Sequence, residues 1–388
     1  MDRRTFLKTT GLASLALWTP VAGAGQALAA GRGPKAPILI LVELKGGNDG
    51  LNTVIPYQDK TYRAARPSLG IDRNQVLQLS NAAGLNPAMK PLMDLWKNKE
   101  MAIVQGVGYP SPNRSHFRSI EIWETASDSD ETLSEGWLAQ ALDGHVPKDH
   151  AAGGIVIGKD EAGPLSGDMR TLVMQDPERF IKMARRVKLP ARHKTPNTAL
   201  SHILGVQRDL VSGADVIEAR LSKVRSLNSD FQKNPFARQL LQVARLLVGG
   251  VPVAVAVVKV SLGSFDTHAN QRGTHDRLLG QLASGLADLR KVLVKAGMWD
   301  RVLISTYSEF GRRVAQNASG GTDHGTAAPH FLMGGRVRGG LYGAQPSLTD
   351  LNGGDLKHHV DFRRVYASCA RHLGVSVGGS FKRLGIVA

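Results

Sequence analysis

The run ILILVEL, residues 38–44, carries one polar side chain, Glu43, and shows no alternation of polar and apolar positions. A strand of this kind buries both faces, so it belongs in the middle of a sheet covered by helices on either side. MAIVQGVG at 101–108, VPVAVAVVKVSLG at 251–263 and DRVLISTYS at 300–308 repeat the pattern, and PHFLMGG reads as a further short strand. Helical periods lie between and after them. PFARQLLQVARLLV stops at Gly249-Gly250, THDRLLGQLASGLADLRKVLVKAG closes on Gly297, and HVDFRRVYASCARHL stops at Gly374. Strands alternating with helices predict an α/β fold, a mostly parallel central sheet sandwiched by helices.

Residues 146–234 break the rhythm. They are rich in charge and scattered proline, and after a short strand-like GIVIG the segment ALSHILGVQRDLVSGADVIEARLSKVRSL is helical in period. This region is expected to be a helical insertion. At the start, MDRRTFLK followed by a mostly apolar run ending Ala27-Leu28-Ala29 fits a twin-arginine export signal cleaved after residue 29. Pro20 and several glycines in the run disfavour a spanning helix. The expected organisation is a signal at 1–29 and one domain at 30–388, periplasmic or secreted. Export by that route suits a protein that folds with a cofactor before translocation.

The chain has a net charge of +16, spread along its length without a polybasic block. That is a bias towards anionic partners, a small molecule or a polymer. Aromatic residues make up 5% of the chain, which argues against a base-stacking platform, and there is no nucleic-acid motif. Cys369 is the one cysteine, so no internal disulfide forms, and its place in an amphipathic helix reads as core.

Polar clusters follow four of the strands: GGNDGLNT, SPNRSHF, FDTHANQ and SEFGRR…GTDHG. In open α/β sheets ligands bind beyond the carboxyl ends of the strands. If these strands are parallel, Asp49, Ser115, His116, Asp266, His268, Glu309, Asp323 and His324 meet on one edge. Carboxylates and imidazoles without a thiolate suit zinc, manganese or iron. Two ions about 4 Å apart can hold the attacking and leaving oxygens of an in-line displacement. Ser115 is the candidate nucleophile, and Arg114, Arg118 or Arg312 offers a guanidinium fork to the anion. Each piece also has a structural reading. Asp49 fits an Asn-Asp-Gly turn, and Ser115 fits a helix cap. Asp266 and Thr267 could cap the helix that contains His275, Glu309 could pair with Arg312 or Arg313, and His116 or His330 could simply pack.

The stretches LVELKGGNDGLNTVIPY, GVGYPSPNRSHFRSIEIWET, FDTHANQ, SEFGRRVAQNASGGTDHGTA and DFRRVYA, in this order, resemble the exported bacterial family called domain of unknown function 1501, grouped with the alkaline phosphatase and sulfatase superfamily. The resemblance implies an alkaline phosphatase-like sheet with a one- or two-metal site. Carried over by motif, Asp49 is the first acid with Glu43 as rival, and Ser115 is the nucleophile. Asp266 and His268 are metal ligands, Glu309 stands at the Asp of an Asp-His-Gly, and His324 is the final histidine. Phe310 stands where the superfamily often has a histidine ligand, and Asp266 and His268 are closer together than usual. The Cys/Ser-x-Pro-x-Arg sulfatase signature is absent, so no formylglycine mechanism is expected. The resulting expectation is an exported metal-dependent hydrolase of phosphate or sulfate esters. Asp49, Asp266, His268, Glu309, Asp323 and His324 hold divalent ions, Ser115 attacks, and His116 and Arg114 assist. A different class remains open: a non-catalytic protein on the same scaffold, binding an anionic polymer or a partner.

Overall fold

A computed structural model of the chain describes residues 36–388 apart from 147–149, 151, 189–196 and 253–255. The expected signal at 1–29 lies outside the described residues. The main sheet contains Ile38–Leu44 (β1), Met101–Gly108 (β2), Gly154–Ile157 (β3), Thr171–Met174 (β4), Ala256–Leu262 (β5), Val302–Tyr307 (β6), Ala328–Met333 (β7), Gly340–Tyr342 (β8) and Val360–Asp361 (β9). Across the sheet the order is β8-β2-β7-β6-β1-β5-β3-β4, with β9 also beside β2. β1 runs parallel to both β5 and β6. β7 runs antiparallel to β6 and β2. It follows that β1, β2, β5 and β6 all point the same way, and the loops leaving them share one edge.

The principal helices are His116–Thr125 (α1), Pro177–Ala184 (α2), Thr198–Leu221 (α3), Pro235–Val248 (α4), Gln271–Lys295 (α5) and Phe362–Leu373 (α6). β1 is buried throughout, and its alternate residues serve two cores. Ile38, Ile40, Val42 and Leu44 pack with Phe236 and Leu240 of α4 and Leu278 and Leu282 of α5. Leu39 and Leu41 pack on the other face with Trp123 of α1 and Val365 and Cys369 of α6. Fully burying one such aliphatic side chain contributes about 1.5–3 kcal/mol, so the strand is fixed from both sides. Burial also pushes the Cys369 thiol up to about 12, which leaves it inert packing.

Residues 146–234 differ from a purely helical insertion. They contain α2 and α3, and also β3 and β4, which extend the sheet in parallel from β5. Ile181, Ile217 and Leu221 join the same core as α4 and α5.

Candidate metal centre

After β1 the chain turns through Gly46 and Gly47, at φ 110° and 75°. A Cβ on Gly46 would lie 2.4 Å from the Asp266 amide nitrogen, and one on Gly47 would lie 2.4 Å from the Phe310 ring. These glycines let the first loop touch the third and fourth. The second loop enters α1 with Ser115 as N-cap residue and His116 in the first turn. In the third loop, Ser264 (φ 78°) and Asn270 (φ 47°) bracket Phe265–Ala269 in left-handed conformations that cost a non-glycine residue energy. The fourth loop folds back onto the third. The Thr322 amide donates to the Thr267 carbonyl at 3.2 Å, and Arg312 and His324 form an isolated antiparallel bridge. A Cβ on Gly321 would lie 2.3 Å from the His268 carbonyl carbon.

Three imidazoles converge on Asp266. His268 Nε2 lies 3.0 Å and His324 Nε2 3.1 Å from its Oδ1, and His116 Nε2 lies 3.4 Å from its Oδ2. The two Nε2 atoms of His268 and His324 are 3.0 Å apart. Each ring is held from behind at Nδ1: His116 by Glu309 Oε1 at 2.8 Å, His268 by Asp323 Oδ1 at 3.2 Å, and His324 by the Arg114 carbonyl at 2.9 Å. Those three partners only accept, so each Nδ1 carries the hydrogen and, in the neutral ring, each Nε2 presents its lone pair inward. His116, Asp266 and His324 offer donor atoms all within 4.8 Å of one another.

Charge in the cluster follows from these contacts. Partial burial works to raise the Asp266 carboxyl, but Arg312 and His324 outweigh it and hold it at about 2. The hydrogen bond to the Glu309 carboxylate raises the His116 imidazole. Burial opposes ionisation of Glu309, yet His116 and the Gly46 amide bring it below the ordinary carboxyl range. Hydrogen bonds from Asn317 and His268 lower Asp323.

Phe310 is 2% exposed. Its ring packs at 4.5 Å from that of His324 and 4.9 Å from that of His116, so it braces two of the inward-facing imidazoles. Arg312 is no anion fork. Its side chain is fully buried and donates to the carbonyls of Gly46, Gly47, Phe265 and Thr322 and to Asp266 Oδ1. Arg118 spends its guanidinium on the carbonyls of Asp128, Ser129 and Glu131 and on Glu121. Arg114 is 45% exposed at its side chain, with one contact of 3.3 Å to Asp355.

Asp49 does not join the imidazoles. It is fully buried, paired with Arg66 at 2.6 Å, and also accepts from Gln271 and the Leu51 amide. Burial works to raise its carboxyl, but the Arg66 guanidinium brings it below its ordinary value. Gln271 Oε1 in turn accepts from Thr267 and Thr322, neighbours of the cluster residues. Asp49 thus backs the site at one remove. Glu43 is occupied by Lys259 at 3.2 Å and Ser261 at 3.2 Å. Ser115 is exposed, and its hydroxyl makes no capping hydrogen bond to α1. His330 is buried on β7 against the Trp123 ring, 5.1 Å away, with no hydrogen bond at either nitrogen. His275 hydrogen-bonds Asn48 inside α5.

Sequence reasoning missed the bracing by Phe310, the anchoring of Asp266 by Arg312 and the Asp49–Gln271 relay. The one available signal was the spacing of Thr267 and Thr322 beside Asp266, His268 and Asp323.

No curated protein matches the chain in sequence. Among solved structures, it is similar to the PsFucS1 sulfatase from Pseudoalteromonas sp., at 9% identity and TM-score 0.40 over 92% of this chain and 72% of that one. It is similar to the lipoteichoic acid synthase LtaP from Listeria monocytogenes, at 10% and 0.39 over 90% and 75%. The zinc complex of the C-terminal periplasmic domain of EcEptC from Escherichia coli aligns at 10% and 0.41 over 89% and 84%. A family model described as "Protein of unknown function (DUF1501)" matches residues 82–383, and the chain belongs to that family.

Proposed function

We propose that the protein is an exported metal-dependent hydrolase of phosphate or sulfate esters, with Ser115 as nucleophile. The observation that carries this reading is the convergence of three Nε2 atoms on Asp266, each ring fixed from behind by an acceptor. With each Nδ1 donating outward, the Nε2 atoms of His268 and His324, 3.0 Å apart, and the Asp266 carboxylate form a donor set that a divalent cation fits. His116, Asp266, His268 and His324 would hold it, with Glu309 and Asp323 as the carboxylates that orient the rings. Zinc, manganese and iron all accept such ligands. A bound ion supplies Lewis acidity and lowers the pKa of an oxygen nucleophile.

The chain's own residues do the rest. Support for Ser115 as nucleophile is that it directly precedes His116, is exposed, and makes no capping hydrogen bond with its hydroxyl. Its oxygen would form the new bond to phosphorus or sulfur as the bond to the ester oxygen breaks, the hydroxyl proton passing by way of solvent to the departing alkoxide; water would later cleave the serine ester and return a proton to Oγ. Arg114, beside it and half-exposed with one contact to Asp355, would hold a non-bridging oxygen. The net charge of +16 favours the approach of an anion.

Purified protein is expected to retain zinc, manganese or iron, and the loaded form to turn over a member of a panel of phosphate mono- and diesters and sulfate esters. Ser115→Ala should lower kcat at least 100-fold while keeping the metal. Metal-free protein with no affinity for these ions, or unchanged turnover in Ser115→Ala, overturns the assignment.

A further inference from the structure

Beside the candidate centre lies a cleft of about 320 Å³ whose walls include Phe310, Tyr109, Pro112 and Leu356. Phe310 is the shared partition, since its ring also packs on His116 and His324. Asn113, on the cleft wall, binds the Ser115 amide through Oδ1 at 2.8 Å, so cleft and nucleophile are linked two residues apart. The walls are mostly apolar, but Ser111 and Asn352 line the cleft with side chains that make no hydrogen bond among the described residues. Ser111 is held at φ 50°, a conformation costly for serine. Lining residues of the cleft include no carboxylate.

We infer that this cleft is the subsite for the organic group of the ester, and that the group is one polyhydroxylated ring of hexose size. A hexose has apolar C–H faces and an edge of hydroxyls. The faces suit Pro112, Leu356 and Phe310, and the hydroxyls pair with neutral amides and hydroxyls such as Asn352 and Ser111. A flat aryl group would gain no hydrogen bond from Ser111 and Asn352, which are exposed and would stay hydrated beside it. The inference rests on the ester-hydrolase reading of the adjoining site.

The test is calorimetric binding to full-length, zinc-loaded Ser115→Ala protein, which needs no turnover. Glucose 6-phosphate is expected to bind at least tenfold more tightly than ethyl phosphate or phenyl phosphate, and Asn352→Leu to remove most of that preference. Asn352 is exposed, so the variant should fold, and its thermal unfolding checks this. Equal affinity for the three esters, tighter phenyl phosphate, or a preference intact in Asn352→Leu overturns the subsite. Loaded wild-type protein that hydrolyses no ester overturns the hydrolase reading alone, because the affinity comparison still stands. Failure to bind zinc, manganese or iron overturns both.

Discussion

Asp49 and Asp266 both follow a strand end, yet their surroundings assign them different work. Asp49 and Arg66 have no exposed side-chain surface. Removing one member of such a pair leaves a buried charge uncompensated, at a cost of about 3–5 kcal/mol. Asp49→Ala is therefore expected to lose that much stability in urea denaturation. Asp266 is 44% exposed at its side chain and the buried Arg312 keeps its carbonyl partners without it, so Asp266→Ala should cost less stability than Asp49→Ala while abolishing retention of the metal through dialysis. The reverse pattern would place the ligand at Asp49. Sequence alone could not separate the two, because Asn-Asp-Gly and Phe-Asp-Thr-His look equally like strand-end chemistry, and the separating partner, Arg66, is remote from either motif. The same holds for Glu309 and Asp323. Their nearness to histidines was legible, but whether a carboxylate faces the metal or an imidazole Nδ1 depends on which ring nitrogen points inward.

Strands β1, β2, β5 and β6 were readable because central strands must be apolar on both faces. Their common direction made the four loop clusters meaningful together. The direction of β7 was not readable: APHFLM signals a strand, but only pairing with β6 and β2 makes it antiparallel. GIVIG marked β3, but β4 was obscured because an edge strand of four residues gives a weak signal beside long helices. β7 also carries a consequence for pH. Burial lowers the His330 imidazole to about 3, against an ordinary 6.5. Above pH 6.5 folded and unfolded chains both hold it neutral, and it contributes no pH dependence. Between pH 6.5 and 3 the unfolded chain binds the proton and the folded chain does not, so stability falls as pH falls, by up to about 1.4 kcal/mol per unit. Chelator-treated His330→Leu, whose side chain remains apolar against Trp123, is expected to show a shallower loss of stability between pH 6.5 and 5 than the parent. Parallel urea midpoints for the two proteins across that range would show that His330 does not carry the effect.

At the scale of the molecule, the candidate centre ties together loops separated by about two hundred residues of chain. His116 arrives from α1, Asp266 and His268 from the loop after β5, and His324 from the loop after β6. The glycine contacts, the Arg312 anchor and the Asp49–Gln271 relay hold these loops together through the protein's own groups. A ligand that binds only the folded chain stabilises it by RT ln(1 + [L]/Kd), about 2.7 kcal/mol at a hundredfold excess over Kd. Addition of the retained metal at that excess should therefore raise the unfolding free energy of the metal-free protein by that amount. Ser115→Ala should keep the whole increment, since its hydroxyl is not among the converging donors, and Asp266→Ala should lose it. Hydrogen exchange should localise the added protection to residues 114–117, 264–270 and 309–325 together. Protection confined to one of these segments would mean that the ion binds a single loop, and that the convergence at the sheet edge is not what the metal reads.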